Sequence, residues 1–448
     1  MPGAERPAVS SPGTLKRVMR VRDGLAVTVG IVIGAGILAT PGLIAGYLGD
    51  PWTILGMWVL GGVVAGLSTL VLAEMAAALP NAGGKYVYAK AAFGPVAGFV
   101  AGWSEIFVTR AFSGAAKAVL IAGYLISLTG RGSVPILAGV VCIAFGWVHM
   151  GGLKTGAAFQ NITTVVKVLI LGAIAAAGLM AGQGRGFVPE VALSPETSGL
   201  LGFALAYQAV AFAYYGWEDA AKLSEETTDP GRSLPRILIG GAVAVGVLYM
   251  LINVAFLNAL TPAEMAGSDL VAQDAIQSVL GGRTGTLVVI ASLLILISSA
   301  NVNFMGLPRV AFGMARDGLA PRAFARLSDN GTPTLALGFI TAIILGLALT
   351  GTFEFLIRFM MLVAISVDSM VLLAFFPLRY RRDKLERPFQ VPGGPWLPAL
   401  AVLLNLGLLV IIVATQPALA LGGGIILGIL IIGGLMFARS EPNGERAQ

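Results

Sequence analysis

The chain has 448 residues, 56% of them hydrophobic and 12% charged, with a formal net charge of +6. Soluble domains carry about twice that charged fraction, so a soluble globular protein, a disordered chain and a catalytic domain on a single anchor are all excluded. The lone cysteine, Cys142, rules out a disulfide scaffold and any internal bridge.

A helix crosses the hydrocarbon core with about 20 apolar residues. Residues 1–22 read as a polar N-terminal tail; the long apolar run behind it, with no small-residue cleavage site, separates it from a signal peptide. Twelve helical spans are then predicted, at 24–48, 53–78, 95–128, 134–150, 158–181, 199–222, 236–259, 285–311, 333–350, 355–378, 397–415 and 418–437. Residues 23–437 thus make one transmembrane domain, followed by a short polar tail at 438–448. The Val- and Ile-rich runs are too long and unalternated for barrel strands. An even number of spans puts both termini on one face. That face receives 22 of the 29 lysines and arginines; three lie opposite (Arg131, Arg185, Arg283) and four fall within spans (Arg110, Lys117, Lys167, Arg358). The positive-inside rule therefore predicts cytoplasmic termini and a multi-pass protein of the cytoplasmic (inner) cell membrane. The net positive charge reflects topology, and no nucleic acid partner is expected.

Two spans contain helix-breaking sequence. The first reads Gly30-Ile-Val-Ile33-Gly34-Ala35-Gly36-Ile37, with Pro41 a turn later; the sixth contains Phe212-Ala213-Tyr214-Tyr215-Gly216-Trp217. Either alone fits close helix packing through small residues. Interruptions five helices apart are expected of an inverted-repeat transporter whose discontinuous helices form the binding site. Unwinding frees N–H groups at the start of one half-helix, which suit a carboxylate, and C=O groups at the end of another, which suit an ammonium. An amino acid zwitterion needs both. Gly34-Ala35-Gly36 also imitates a dinucleotide fingerprint, but no strand precedes it.

Several segments, in order, are similar to those of a known family. They are Gly34-Ala35-Gly36-Ile37, then Leu79-Pro80-Asn81-Ala82-Gly83-Gly84-Lys85-Tyr86 before span 3 and Trp103-Ser104-Glu105 with Arg110 within it. Lys167 in span 5, Phe212 to Trp217, and Arg309 to Pro321 follow. The chain resembles the amino acid–polyamine–organocation (APC) superfamily, and within it the L-type amino acid transporter branch. The resemblance implies an all-α integral membrane protein with a five-plus-five inverted repeat of leucine-transporter-like fold. Its discontinuous helices would be spans 1 and 6, its repeats about 23–181 and 199–378, and two extra helices would lie at about 397–437. It further implies that the amides around Gly34, Ala35, Gly36 and Ile37 bind the substrate carboxylate. Carbonyls near Ile33, Phe212 and Ala213 would bind the amine, with Phe212 as an aromatic gate and Tyr214, Tyr215 and Gly216 beside it. Lys167, with Ser299 and Asn301 in span 8, would replace the sodium ion of related transporters. The L-type proteins of eukaryotes pair with a glycoprotein through a cysteine in the loop after span 3. Here that loop, Thr129 to Val134, holds none, so no disulfide-linked glycoprotein subunit is expected.

Charges inside a membrane are costly and mark function by default. Lys167 lies too deep to snorkel. Glu105 and Arg110, five apart, straddle adjacent faces of an α-helix and suggest an interhelical network. Lys117, two turns further on, is expected to snorkel outward, and Glu354 with Arg358 to form a surface pair. Glu218 and Asp219 suggest acid–base or cation chemistry, but no histidine or second acidic cluster joins them; His149 alone makes no metal site. The resulting reading is a sodium-independent secondary transporter of neutral L-amino acids that works by exchange. No enzymatic activity and no cofactor are expected; the partners are the amino acid substrate and the lipid bilayer. Neutral selectivity follows from apolar surroundings at Val32, Ala35, Phe212, Tyr214 and Tyr215. The rivals are a proton-coupled symporter, a carrier of cationic amino acids or polyamines, and a transporter-like nutrient sensor.

Overall fold

The computed structural model describes residues 19–80, 84–150, 154–187, 199–328, 331–381 and 385–440. Most of both predicted tails, Asn81 to Gly83 of the motif before span 3, and the side chains of Glu225 and Glu226 lie outside the described residues.

Among the described residues, nine helices are long and apolar enough to span a bilayer, and Val21–Val32 with Ala35–Leu48, bent by 43°, make a further broken span. Val134–Met150 and Thr334–Thr350 are each 17 residues long, the lower limit for crossing. They are spans 4 and 9, and the predicted order of twelve is complete. The fold is all-helical and membrane-embedded. Span 10 (Phe353–Tyr380) is 78% buried inside the protein over its most apolar stretch, whereas span 12 (Pro417–Ser440) is only 17% buried. The first lies at the centre of the bundle and the second at its lipid-facing edge. Spans 1 and 6 are wedged together. A Cβ on Gly36 would fall 2.3 Å from the Cα of Ala213, and one on Gly34 would fall 2.2 Å from the Ser299 hydroxyl of span 8 (Thr284–Arg316). Only glycine permits this approach.

The prediction of span 6 as continuous helix to 222 needs correction. The α-helix Gly199–Tyr214 stops at the aromatic motif, Gly216 takes φ +112°, and Trp217–Glu226 continues as 3-10 turns. Five short helices among the described residues, at Lys85–Phe93, Arg185–Phe187, Pro262–Ala266, Val271–Leu280 and Arg322–Ala325, lie outside the predicted spans. They are too short to carry an apolar run. On the face bearing the termini, the amide of Thr228 donates to the carbonyl of Met19 at 2.9 Å, tying the start of the chain to the segment after span 6.

On that same face Glu74, near the end of span 2 (Pro51–Ala78), holds the connection from span 10 to span 11 (Trp396–Thr415). Its carboxylate accepts from Arg379 Nη1 at 3.0 Å and from the amide of Val391 at 2.7 Å. Hydrogen bonds to a charged group contribute about 1.5–3 kcal/mol. Glu74→Gln keeps the volume and loses the charge, so it is expected to destabilise the protein by about 2 kcal/mol, read as a lower melting temperature of purified protein in detergent.

Candidate functional site

The break in span 1 leaves carbonyls at the end of its first half and amides at the start of its second. The carbonyls find side chains from other spans. Lys167 Nζ, in span 5 (Lys154–Ala181), donates to the carbonyls of Gly30 at 2.9 Å and Ile33 at 3.2 Å. Tyr249 Oη, in span 7 (Pro230–Ala259), donates to that of Val32 at 3.0 Å. At the second half-helix the N-cap is Gly34, which has no side chain to accept from the amides that follow. They carry the positive end of the helix dipole.

These amides face a small cavity between spans 1, 3, 6, 8 and 10, lined by Ile31, Val32, Gly34, Ala35, Gly36, Arg110, Ser113, Lys117, Phe212, Tyr215, Gly216, Ser299 and Met360. Its volume is about 20 Å³, room for roughly one water. An amino acid fits only if the surrounding helices part.

Of the site residues singled out from sequence, Val32, Gly34, Ala35, Gly36, Phe212, Tyr215, Gly216 and Ser299 line this space. The others are buried beside it. Ala213 backs onto Gly36, and Ile33 and Ile37 are fully buried. Tyr214 turns away: its hydroxyl donates to the Trp58 carbonyl at 3.2 Å, and its ring packs on those of Trp58 and Tyr249. Lys167 sits behind the break on its two carbonyls, and among the described residues the Ser299 hydroxyl has no partner, Lys167 Nζ included. The amide nitrogen of Asn301 is likewise buried without a partner. The Ile33 carbonyl expected to meet the amine already accepts from Lys167, and that of Phe212 accepts from the Tyr215 amide at 3.2 Å. Ile31 lines the cavity instead, its carbonyl oxygen beside Gly216.

Arg110, Ser113, Lys117 and Met360 were not assigned to the site. Lys117 was expected to snorkel, but it is 8% exposed, and its ammonium donates to the Ser299 carbonyl at 3.2 Å and the Asn303 side-chain oxygen at 3.5 Å. Glu105 and Arg110 form the interhelical network expected of them, but their relation along the helix differs from expectation. Residues Glu105–Arg110 form a π-helix, whose i→i+5 pairing puts residues five apart on one face, and Arg110 Nε reaches Glu105 Oε1 at 3.3 Å. Arg110 also pairs with Asp219, and with Glu218 at 3.7 Å. Lys85, counted from sequence as a loop charge, joins the same cluster, 2.6 Å from Asp368 and 3.1 Å from Glu218. Its ammonium donates to the Tyr215 hydroxyl at 2.8 Å. Burial works against the charge on Lys85, but Asp368 and Glu218 outweigh it and hold the ammonium well above its ordinary value. Lys85 precedes span 3 (Pro95–Thr129) and Asp219 follows the break in span 6, so this ionic cluster floors the cavity towards the face bearing the termini.

On the opposite side the expected Glu354–Arg358 pair is present at 3.2 Å. It is more than a surface pair. Tyr47, at the end of span 1, donates to Glu354 at 2.6 Å, and Arg358 donates to Gln416, whose amide reaches Gln208 of span 6 at 2.7 Å. Spans 1, 6 and 10 are thereby latched above the cavity.

The sequence model for amino acid permeases matches residues 23–436. The serine/threonine exchanger SteT of Bacillus subtilis is 29% identical over 395 residues, covering 87% of this chain and 89% of that protein. Asc-type amino acid transporter 1 of Homo sapiens is 27% identical over 449 residues, 97% of this chain and 85% of its own. The large neutral amino acids transporter small subunit 2 of Mus musculus is 25% identical over 443 residues, 96% and 82% respectively.

Removing one partner of a buried ion pair costs about 3–5 kcal/mol, whereas replacing both by apolar groups is often neutral. Lys85→Met strands Asp368 and leaves Glu218 to Arg110 and the Gly216 amide; Asp368→Leu strands part of the charge on Lys85. Each single variant is expected to melt well below the wild type. The double variant should melt above the Lys85→Met single, giving a coupling of at least about 1 kcal/mol in the double-mutant cycle.

Proposed function

The chain belongs to the amino acid permease family, and from that premise we propose that it is a sodium-independent amino acid exchanger with alternating access around the cavity between its two breaks. The observation that carries this reading is the Lys167 ammonium on the carbonyls of Gly30 and Ile33. A sodium ion bracing an unwound helix needs such oxygens. A lysine supplies the same single charge and three donors, and it stays with the protein through the cycle. No ion gradient is then consumed, and one substrate leaves as another enters.

Recognition in this reading is by backbone. The substrate carboxylate takes the uncapped amides of Gly34, Ala35, Gly36 and Ile37, and its amine takes the carbonyl of Ile31 beside the second break. Phe212 closes over it from the side of the latch. The bias of lysines and arginines supports cytoplasmic termini, with the ionic floor facing the cytoplasm. The cavity lining contains two basic residues, Arg110 and Lys117, and no acidic one, which weighs against a carrier of polyamines or cationic amino acids. Val32, Ala35, Phe212 and Met360 give apolar walls that suit the neutral side chains expected from sequence, whereas the lining at Lys117 is polar and is considered below. No cysteine lies between spans 3 and 4, so transport should need no disulfide-linked subunit.

The test is uptake by purified protein in liposomes preloaded with amino acid. Replacing sodium by choline is expected to leave wild-type uptake unchanged, and so is an imposed pH gradient. Lys167→Ala should lose at least about tenfold in rate, because the break then holds buried carbonyls without a donor. Strict sodium dependence, or an unimpaired Lys167→Ala, would refute the proposal. In the same assay an amine lacking the α-carboxylate should neither compete nor be carried, since it leaves the Gly34–Ile37 amides unmatched.

A further inference from the structure

Two buried cations have no carboxylate partner among the described residues, Lys167 and Lys117. Lys167 is accounted for by the two carbonyls of the break. Lys117 is not. Its acceptors are one backbone carbonyl and one amide oxygen at 3.5 Å, both neutral. Close by, the hydroxyl of Ser299 and the amide nitrogen of Asn303 are buried without a hydrogen-bond partner among the described residues. Ser299 and Ser113 both line the cavity with Lys117.

This end of the cavity is rich in donors and poor in acceptors. An ammonium held out of water without a counter-charge is costly, and a bound anion offsets part of that cost. Among the described residues no carboxylate contacts Lys117: Glu105, Glu218, Asp219 and Asp368 lie in the floor with Arg110 and Lys85. The substrate's α-carboxylate already has its own donors in the amides of the broken first span. Lys117 and Ser113 reach the cavity from span 3, and the Ser299 hydroxyl of span 8 abuts Gly34 at its edge, so their donors add to those of the broken span.

We propose that Lys117, with the hydroxyls of Ser113 and Ser299, forms an anion subsite for the substrate side chain, and that the preferred substrates are α-amino acids carrying a side-chain carboxylate. The proposal rests on the amino acid exchanger reading and names its substrate class. A neutral aliphatic side chain would leave the ammonium stranded. An aspartate- or glutamate-like chain supplies the missing charge and satisfies the idle Ser299 hydroxyl at the same time.

The experiment compares acids with their isosteric amides in liposomes containing the full-length protein: labelled glutamate against glutamine, and aspartate against asparagine. The wild type should favour the acid by at least about tenfold in kcat/KM, as sites with buried polar groups reject a partner that fails to match them. Lys117→Met should shift that ratio at least about tenfold towards the amide, and Lys117→Arg should retain the preference for the acid. Thermal stabilisation of the purified protein in detergent by each amino acid reads the same ratio without requiring turnover. Amides carried as well as or better than acids by the wild type would overturn the subsite and leave the exchanger standing. A ratio unmoved by Lys117→Met would overturn it too. If no amino acid is carried or bound, the exchanger reading falls with it.

Discussion

A backbone carbonyl in the middle of a membrane must have a donor, because hydrocarbon offers none and each unsatisfied group costs several kcal/mol. The first span of this protein breaks at Ile33 and Gly34, and most of what surrounds the site answers that constraint. Lys167 and Tyr249 reach in from spans 5 and 7 to the carbonyls of Gly30, Val32 and Ile33. Gly34 and Gly36 let spans 8 and 6 press against the unwound stretch. The amides on the other side of the break are left to the cavity. The same disruption that has to be compensated at one end creates a binding surface at the other.

Charge is distributed with equal economy. Four basic residues, Lys85, Arg110, Lys117 and Lys167, and four acidic ones, Glu105, Glu218, Asp219 and Asp368, lie in the interior near the breaks. The acids all belong to the floor, where Arg110 and Lys85 balance only part of them. The two unmatched lysines lie around the cavity and the break. These eight charges are neutral in sum but polarised along the bundle. Opening the floor would separate Lys85 from Asp368 and Arg110 from Asp219 and admit water to them. Opening the latch would instead release the contacts of Tyr47, Glu354, Arg358 and Gln416. The two faces are closed by chemically different means, ionic on one and mixed hydrogen bonding on the other.

The twelve spans were legible because long apolar runs bounded by Pro, Gly and charge have few alternative readings in a chain of this composition. The breaks were legible because glycine-rich sequence at mid-membrane is costly without a purpose. Side-chain direction was less accessible. Tyr214 and Tyr215 are neighbours in a motif, yet one packs on Trp58 and the other lines the cavity, a distinction made by where the helix ends. Lys117 was placed outside the centre from its position along span 3, and the packing of span 8 around it is not written in the local sequence. The relation of Glu105 to Arg110 was misjudged because an α period was assumed through a segment with a different one.

That segment has a bearing on how the third span can vary. A π-turn holds one residue more than the α-helix it interrupts, and each residue of an α-helix turns the chain by about 100°. Loss of a single residue between Glu105 and Arg110 would let the helix regularise, with its length and hydrophobicity almost unchanged. It would also swing everything beyond by about a quarter turn relative to the floor. Ser113 and Lys117 would then point at a neighbouring helix while Glu105 kept its place. Two permeases differing by one such residue would look interchangeable in hydropathy and yet present different groups to the substrate.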